Sequence, residues 1–553
     1  MLGQTVINSR FLPSVLLALL CAGSATRAFA QAAESVAKHE GPSTPIRHLV
    51  VIFPENISFD HYFGTYPNAA NPPNEPKFVA LPDTPSVNGL STILLTKNPN
   101  KLNADNGPGA VNPFRLDRSQ AATADQDHDY RAEQMAFHAG LMDLFPKSVG
   151  RGEPPRKDAP FPLNTTGLTM GYYDGNTVTA MWNYAQHFAL SDNSYGSTFG
   201  PSTPGAINLV SGQTNGVAAT RNGQGGLADG GSGSLTLISD PDPIGDVCSA
   251  STRMQVSMGG KNIGNLLSDA HVTWGWFIGG FDLTIKNPNG TTGCKRATTS
   301  AVSHNTVLDY SPHHQPFQYY PSTANPTHAR PTSVKTIGHD GGPANHQYDV
   351  NDFYAAVTAG NFPAVSFLKA PAYADGHAGY SNPLDEQEFV VHVINFIQRS
   401  PQWKNTAVMI AYDDSDGWYD HQMGPIVNQS SGTSDALTGP NACGDGQSAL
   451  SGIDPANTHA QGRCGFGPRL PMLAISPWAK ANFVDHALTN QASIITFIED
   501  NWLDGQRLGQ GSFDSMSNSI TSMFDFHHAP RMRKLFLDEH TGEIVSAKNH
   551  GGN

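Results

Sequence analysis

Residues 46–54 of this 553-residue chain read IRHLVVIFP, and they decide the fold class. The nearly continuous apolar run predicts a strand that is buried on both faces of a parallel sheet. The strand ends at Glu55-Asn56. Because ligands bind at the carboxyl ends of strands in open α/β sheets, we expect these two oxygen-bearing side chains at a binding edge. Taken alone, the pair could equally be a turn and a helix cap.

Strand and helix patterns alternate along the rest of the chain. Strands are predicted at 271–278, 362–368, 406–412 and 470–475, and helices at 125–144, 176–186, 202–210, 350–359, 383–399 and 491–502. This alternation predicts an α/β fold with a mostly parallel central sheet and helices on both faces. We expect one domain over 31–553, in which loop or β insertions near 66–120, 213–262, 286–345 and 425–466 cap the strand ends.

The first 30 residues have the pattern of a signal peptide. Arg10 is followed by an apolar stretch at 11–25 and by Ala28-Phe29-Ala30, an A-x-A cleavage site. No later segment reaches about 18 apolar residues, the length needed to span a bilayer. We therefore expect an exported protein, periplasmic or secreted, without a stable membrane anchor. Lipidation at Cys21 is the weaker alternative, since Leu20 precedes it where a lipoprotein signal has a small residue.

The charge of the chain limits its partners. The formal net charge of −14 becomes −16 once Arg10 and Arg27 leave with residues 1–30. An acidic chain without a basic patch is not typical of a nucleic-acid binder. A small phosphorylated substrate that is held through a metal ion stays possible. The sequence does not indicate the oligomeric state.

Four cysteines remain after removal of Cys21, and an even number in an exported protein indicates two disulfides. We favour Cys248–Cys294 and Cys443–Cys464 because each pair lies at the ends of a loop-rich insertion. Three connectivities are possible on sequence alone. Zinc is the alternative, although no C-x-x-C spacing supports it.

Two further polar segments follow predicted apolar runs. Asp413-Asp414 ends the strand predicted at 406–412, and adjacent carboxylates repel each other unless a cation neutralises them. The segment 200–205, GPSTPG, starts a helix, with Ser202 or Thr203 as its N-cap and Pro204 in its first turn. Each segment has an ordinary structural alternative, a solvated turn for the aspartates and a simple cap for the hydroxyl.

Together these segments predict a metal site. If the strands end at one edge of the sheet, Glu55, Asn56, Asp413 and Asp414 would hold one divalent cation with hard oxygen ligands, such as Ca, Mg or Mn. The Ser202 hydroxyl would be a further ligand and a nucleophile, since a helix N-terminus favours the negative charge that it acquires. Histidines are suited to hold phosphate oxygens and to protonate a leaving alcohol.

Six motifs in series carry a family resemblance from residue 46 to about residue 502. They read VVIFPENISFDHYFG, FGPSTPGAINLVSG, HHQPFQYY, GHAGYSNPLDEQEFVVHVINFIQRSPQW, TAVMIAYDDSDGWYDH and GPRLPMLAISPWAK. The chain resembles the phosphoesterase superfamily of bacterial phospholipases C and periplasmic acid phosphatases. The resemblance implies an alkaline-phosphatase-like core.

The resemblance also implies roles for individual residues. It makes Ser202 the nucleophile that forms a phosphoserine, and it makes Ser202 a ligand of one metal together with Glu55, Asn56, Asp413 and Asp414. It implies that three histidines line the phosphate pocket, namely His128, His314 and His377, and that one of the three is the general acid. His314 is preferred to His313 because it matches the H-x-P-F pattern. His421 matches a D-H pair of the family whose role stays open.

Two branches of the superfamily compete. Phospholipases C commonly have G-P-T-x-P with threonine as nucleophile, D-E in place of Asp413-Asp414, and additional C-terminal β domains. The Ser202 hydroxyl, the second aspartate, the STPG segment and the chain end about fifty residues after the last predicted helix favour the acid phosphatase branch. The alternatives are a phospholipase C that cleaves phosphatidylcholine-type lipids and a non-catalytic exported binding protein on the same fold.

Overall fold

The computed structural model describes residues 41–151, 159–229, 234–439, 442–445, 450–454, 456 and 460–545. The predicted signal peptide at 1–30 and the residue Cys21 lie outside this part of the chain. The organisation as one domain over 31–553 stays a prediction.

The described residues contain an eight-stranded central sheet. In chain order its strands are β1 (His48–Ile52), β2 (Ala189–Ser191), β3 (Trp274–Ile278), β4 (Gln347–Asp349), β5 (Val365–Lys369), β6 (Thr406–Ala411), β7 (Met472–Ile475) and β8 (Phe483–Asp485). Their order across the sheet is β4-β3-β5-β1-β6-β7-β2-β8. β1 pairs in parallel with β5 and β6 at the centre. β7 is antiparallel to both of its neighbours, β6 and β2.

Helices cover both faces of this sheet. The α-helices are α1 (Phe59–Phe63), α2 (Thr92–Thr96), α3 (Pro99–Leu102), α4 (Tyr130–Phe137), α5 (Phe145–Ser148), α6 (Thr179–His187), α7 (Ser202–Ser211), α8 (Ile263–Asp269), α9 (Val350–Thr358), α10 (Pro383–Arg399) and α11 (Ala492–Trp502). Val50 and Ile52 of β1 pack in one core with α6, α9 and α10. Leu49 and Val51 pack in a second core with α7, α8 and α11. Alternate side chains of β1 thus enter opposite cores, which confirms the predicted mostly parallel α/β fold.

Two predictions of secondary structure were wrong in part. The helix predicted at 125–144 is α4 alone, because His138, Ala139 and Gly140 take positive φ angles of 44°, 53° and 91° and stop it. Gly140 is the kind of residue that ends helices, so the stop was visible in the sequence. The strands β2, β4 and β8 were not predicted; each has only three residues, too few to show a periodic pattern.

The predicted insertions carry short structures of their own. Val217–Arg221, Asp242–Pro243 and Gln255–Met258 form a small sheet, and Ala297–Thr299 pairs with Thr306–Leu308. A disulfide between Cys248 and Cys294 links these two insertions, and a second joins Cys443 to Cys464. Both predicted pairs are confirmed. Within the described residues, no helix combines the length and the apolar character needed to cross a membrane.

A buried pair of acids, Glu499 on α11 and Asp514 after it in the chain, predicts a pH-dependent stability. Leu508 N–H donates to Glu499 Oε1 and to Asp514 Oδ2, each at 2.8 Å. Burial, together with the neighbouring Asp514, raises the pKa of Glu499 from 4.5 to about 9. A carboxyl group whose pKa is higher in the folded state stabilises the fold fully below pH 4.5. That contribution is lost as the pH rises toward 9.

We therefore expect Glu499→Gln to flatten the decline in unfolding free energy between pH 5 and pH 8, by up to a few kcal/mol. Denaturant unfolding at the two pH values measures this. Arg507 Nη1 lies 3.2 Å from Glu499 Oε2 and 2.7 Å from Oδ1 of the more exposed Asp500. The matched control is therefore Asp500→Asn, which removes the other carboxylate partner of this arginine. It should keep the wild-type dependence. An unchanged slope in Glu499→Gln would contradict the account.

Candidate active site

The two predicted acidic segments lie side by side at one edge of the central sheet. β1 pairs with β6 from His48↔Thr406 to Ile52↔Ile410, so the residues that follow both strands emerge together. The Asn56 N–H donates to Asp413 Oδ1 at 3.0 Å, and the Ile57 N–H donates to the Asp414 backbone oxygen at 2.8 Å. The expectation that the carboxyl ends of separate strands bring these residues together is met.

Helix α7 brings Ser202 to the same edge. All ten of its residues are buried. A Cβ on Gly205 would collide with the backbone oxygen of Asp413, so only glycine allows this close approach of helix and strand end. The predicted cap was wrong: Pro201 is the N-cap, without a side-chain cap bond, and Ser202 is the first helical residue. Neither Ser202 nor Thr203 caps the helix, because the Ser202 hydroxyl is engaged elsewhere.

The Ser202 hydroxyl points into a group of oxygen atoms. Its Oγ lies 2.9 Å from Glu55 Oε2, 3.1 Å from Asp414 Oδ2 and 3.3 Å from Asn56 Oδ1. Ser202 is 2% exposed, and Glu55 and Asn56 are fully buried. A hydroxyl can donate only one proton, so the other acceptors around it need a different source of positive charge.

The Asn56 side chain adds to this need for a positive charge. Asn56 has a φ of 62°, a left-handed conformation that asparagine tolerates better than most residues. One end of its amide lies 2.7 Å from Glu55 Oε2 and 3.2 Å from both Asp413 Oδ1 and Asp414 Oδ2. When that end is the oxygen, it faces only acceptors. Carboxylate, amide and hydroxyl oxygens that converge in this way are the donor set that hard divalent cations prefer, so the residues fit the predicted metal site.

The electrostatics of the aspartates agree with that fit. Burial, and then the nearby Glu55, raises the pKa of Asp413 to about 7. Burial and the neighbouring Asp413 and Glu55 carboxylates raise the pKa of Asp414 well above its usual value. Both acids would be held ionised by a cation between them, since an opposite charge at short range favours the charged form.

Lys369, the last residue of β5, was missed in the sequence. Its Nζ lies 2.9 Å from Asp413 Oδ2 and also contacts Glu55 Oε1, and it is 1% exposed. Burial would lower the pKa of Lys369, but Asp413 and Glu55 outweigh burial and raise it. The ammonium occupies the outer carboxylate oxygens, so the inner oxygens Glu55 Oε2 and Asp413 Oδ1 face Asn56. A lysine directly after the apolar run 365–368 was the available signal.

Two of the predicted histidines flank Asn56. His377 Nε2 lies 3.1 Å from the other end of the Asn56 amide, and His128 Nε2 lies 3.5 Å from Asn56 Nδ2. Burial lowers the pKa of His377 to about 4. Burial also acts on His128, but Asp416 and two further acids outweigh it and raise its pKa to about 9. Asp416, missed in the sequence, lies 3.5 Å from His128 Nδ1. Asp125, His128, His377 and Asp416 hold ligand-type atoms within 4.8 Å of one another.

The third predicted histidine lies on the other side of Glu55. His314 Nδ1 is 3.3 Å from Glu55 Oε1, and its buried Nε2 has no hydrogen-bond partner within the described part of the chain. Burial lowers the pKa of His314 well below its usual value. A neutral buried ring with an unpartnered nitrogen is suited to contact a bound ligand. The neighbouring His313 ring is 4.3 Å away, centroid to centroid.

His421 does not join this site. Its Nδ1 lies 2.6 Å from Asp60 Oδ2, and Arg469 binds both Asp60 Oδ1 at 3.0 Å and Asp420 Oδ2 at 3.1 Å. Arg469 is fully buried. This group, which we call the Arg469 cluster (Asp60, Asp420, His421 and Arg469), links the chain after Asn56 to the chain after Asp414. It holds the loops that carry the candidate ligands.

The oxygen-lined site predicts that a divalent cation stabilises the fold. Chelator-treated protein should unfold at a higher temperature after Mg²⁺, Mn²⁺ or Ca²⁺ is added, with a gain of about 2.7 kcal/mol at a hundredfold excess over Kd. Asp414→Asn should reduce the gain strongly. Asp83→Asn, which removes an exposed carboxylate that is not among the candidate ligands, should retain the gain in stability. Equal gains in both variants, measured by calorimetry, would place the cation elsewhere.

Comparisons with known proteins agree with the motifs. The model of the Phosphoesterase family matches residues 46–503. The chain is 25% identical over 503 residues to the non-hemolytic phospholipase C of Burkholderia pseudomallei (strain K96243), with 88% of this chain and 60% of that protein covered. It is 23% identical over 489 residues to the non-hemolytic phospholipase C of Pseudomonas aeruginosa, with 85% of this chain and 56% of that protein covered. The chain thus spans less than two thirds of the length of these two relatives.

Among solved structures, the chain resembles a mutant of the alkaline phosphatase PafA. The two are 9% identical with a TM-score of 0.28, and the likeness covers 63% of this chain and 94% of that chain. The family match instead extends over most of the sequence and includes Glu55, Asn56, Ser202, Asp413 and Asp414. The chain belongs to the Phosphoesterase family.

Proposed function

We propose that this chain is an exported, metal-dependent acid phosphatase that hydrolyses phosphomonoesters through a phosphoserine on Ser202. The observation that carries the proposal is the contact of the Ser202 hydroxyl with Glu55, Asn56 and Asp414 at the start of a buried helix. Family membership supports hydrolysis of phosphoric esters in general. The part of the proposal that activity is highest at acidic pH is based on the resemblance of the sequence motifs to the acid phosphatase branch.

In the first half of the reaction Ser202 Oγ attacks the phosphorus atom. Its proton passes to a carboxylate oxygen within hydrogen-bonding distance, Glu55 Oε2 or Asp414 Oδ2. The bond between phosphorus and the leaving oxygen breaks, and one histidine of the pocket protonates that oxygen. The products of this half are a phosphoserine and a free alcohol.

The histidines divide the remaining work. His128, whose pKa is about 9, carries a positive charge at neutral and acidic pH and can hold phosphoryl oxygens. One of the three histidines must supply a proton to the leaving oxygen. His128 carries that proton at neutral and acidic pH, whereas the lowered pKa values of His377 and His314 favour their neutral rings. A bound divalent cation would lower the pKa of the Ser202 hydroxyl and offset charge on the phosphoryl oxygens.

In the second half, water attacks the phosphoserine from the side that the alcohol has left. The histidine that gave its proton takes one from this water, as microscopic reversibility requires. The phosphorus–Oγ bond breaks, Ser202 Oγ regains its proton from the carboxylate, and inorganic phosphate leaves. The site then returns to its starting state, so the net reaction consumes one ester and one water.

A phospholipase C is the second candidate, because the two relatives described above carry that name. Serine in place of threonine at position 202 and aspartate at position 414 support the phosphatase instead. The purified protein should hydrolyse p-nitrophenyl phosphate best below pH 7, with little release of phosphocholine from phosphatidylcholine. Comparable turnover of the lipid would overturn the phosphatase proposal. No turnover of either substrate would favour a non-catalytic binding protein on this fold.

Export is part of the same proposal. The A-x-A site at 28–30 and the two disulfides support it, because disulfides persist in oxidising compartments. N-terminal sequencing of the protein from the periplasm or medium should find a new N-terminus near Gln31. An intact Met1 in the mature protein would contradict it.

A further inference from the structure

A cavity lies beside residues of the candidate active site. Its volume is about 300 Å³, and residues of both disulfide-linked insertions line it, chiefly Arg253, Leu308, Pro312, His313, Ala372 and Tyr380. Cys248 is also part of its wall, so the bond to Cys294 fixes one insertion against the other at this place. The volume is at the lower end of the range for ligand pockets, about 300–1,000 Å³.

The cavity shares two of its walls with the active site. The Thr203 hydroxyl donates to the backbone oxygen of His313 at 3.5 Å, which places His313 beside the residue that follows Ser202. The Tyr380 ring stacks on His377 with centroids 4.3 Å apart. The Tyr380 hydroxyl donates to Asp375 Oδ2 at 3.1 Å. A group bound in the cavity would therefore be lined by His313 and Tyr380, which contact Thr203 and His377 of the candidate active site.

The walls are mostly apolar. Pro312, Ala372 and Tyr380 line the cavity, and Leu308, another lining residue, has 51% of its surface exposed. An exposed leucine beside an apolar cavity loses water contact when a ligand fills the cavity, and this favours binding. A flat ring would also be able to pack against the Tyr380 ring.

The rim carries an ion pair. Arg253 has a side chain that is 44% exposed, and its Nη1 lies 3.5 Å from Asp242 Oδ1. The same Nη1 lies 3.4 Å from His313 Nδ1. The Ser311 hydroxyl is 3.1 Å from that nitrogen. With two donors at Nδ1, the proton of the neutral His313 ring lies on Nε2, so His313 presents a donor of its own.

We propose that this cavity binds the leaving group of the substrate and that it selects an uncharged aromatic alcohol, which makes the preferred substrates aryl phosphomonoesters. The proposal rests on the proposed function, since it deepens the phosphatase assignment. The two acyl chains of a diacylglycerol exceed a cavity of 300 Å³.

Leu308→Asn tests the proposal, with Leu102→Asn as the matched control on an exposed leucine of α3 that does not line the cavity. For each protein, kcat/KM is measured on phenyl phosphate and on glycerol 2-phosphate, whose leaving group is small and polar. Inhibition by phenylphosphonate, which cannot be hydrolysed, reports binding separately from turnover. Melting temperatures of both variants verify that they fold.

We expect Leu308→Asn to lower kcat/KM for phenyl phosphate about fivefold, mainly through KM, and to weaken phenylphosphonate inhibition equally. The ratio of the two substrates' kcat/KM values should fall, and Leu102→Asn should keep the wild-type ratio. An unchanged ratio in Leu308→Asn, or equal losses on both substrates, would overturn the pocket while leaving the phosphatase intact. A wild-type protein that hydrolyses neither substrate would instead overturn the proposed function.

Discussion

Ser202→Ala is expected to lower kcat for p-nitrophenyl phosphate by about 10³-fold or more, because the variant has no hydroxyl to form the phosphoserine. The fold should persist: the side chain loses one oxygen atom, and α7 keeps its Pro201 cap and its buried packing. The loss of an oxygen from the crowded acceptor group should also weaken the cation-induced stabilisation. Steady-state kinetics and melting temperatures measure the two effects.

Thr203→Ala is the matched control for Ser202→Ala. It removes the neighbouring hydroxyl of the same helix, whose contact with the His313 backbone oxygen is long at 3.5 Å. We expect kcat to stay within about threefold of the wild-type value. Equal losses in both variants would show that the helix, and not the Ser202 oxygen, was damaged. Full activity of Ser202→Ala would remove Ser202 from the mechanism.

Arg469→Met is expected to lower the free energy of unfolding by about 3–5 kcal/mol, because it leaves the buried carboxylates of Asp60 and Asp420 without their cation. Burial would raise the pKa of Asp60, but His421 and Arg469 outweigh it and hold that pKa below its usual value. In the variant, burial without the arginine should raise the pKa of both carboxyls, so near pH 4 they would take up protons and the cost of their unpaired charge would fall. The destabilisation should be smaller at pH 4 than at pH 7.

Arg463→Met is the control for charge. Arg463 is also fully buried, but its guanidinium donates to the backbone oxygens of Ser451, Gly212 and Gly511. Its removal leaves neutral carbonyls without donors, so the cost should not depend on pH over this range. Chemical denaturation at pH 4 and pH 7 compares the two variants. A pH-independent loss for Arg469→Met would contradict the role of the Arg469 cluster.

The central part of the fold was predictable because its strands are buried on both faces. The runs at 46–54 and 406–412 contain β1 and β6, and α10 begins at Pro383 after the cap Asn382 and ends at Arg399 as its sequence signals indicate. The direction of β7 could not be predicted. The apolar residues of a strand do not indicate whether it runs parallel or antiparallel to its neighbours. The direction of β7 depends on the connection between β6 and β7, which is a long loop region.

The candidate site was predictable where a residue belongs to a motif at a strand end. Glu55, Asn56, Asp413 and Asp414 follow apolar runs, and the topology brings them together. Lys369 was not predicted because a single lysine after a strand belongs to no motif. Its position at the site depends on the pairing of β5 with β1, which the sequence does not show. The cap of α7 was wrong for a related reason. The sequence shows a hydroxyl at a helix start, but not the three acceptors from distant segments that compete for it.

The most direct measurement is a rapid acid quench of the wild-type enzyme during turnover of p-nitrophenyl phosphate. Mass spectrometry of the peptide that contains residues 200–205 then locates any phosphoryl group. A phosphoserine at Ser202 is expected to appear as fast as the burst of p-nitrophenol and to be absent from Ser202→Ala. An unmodified peptide during active turnover, or a phosphoryl group on another residue, would contradict the proposed mechanism.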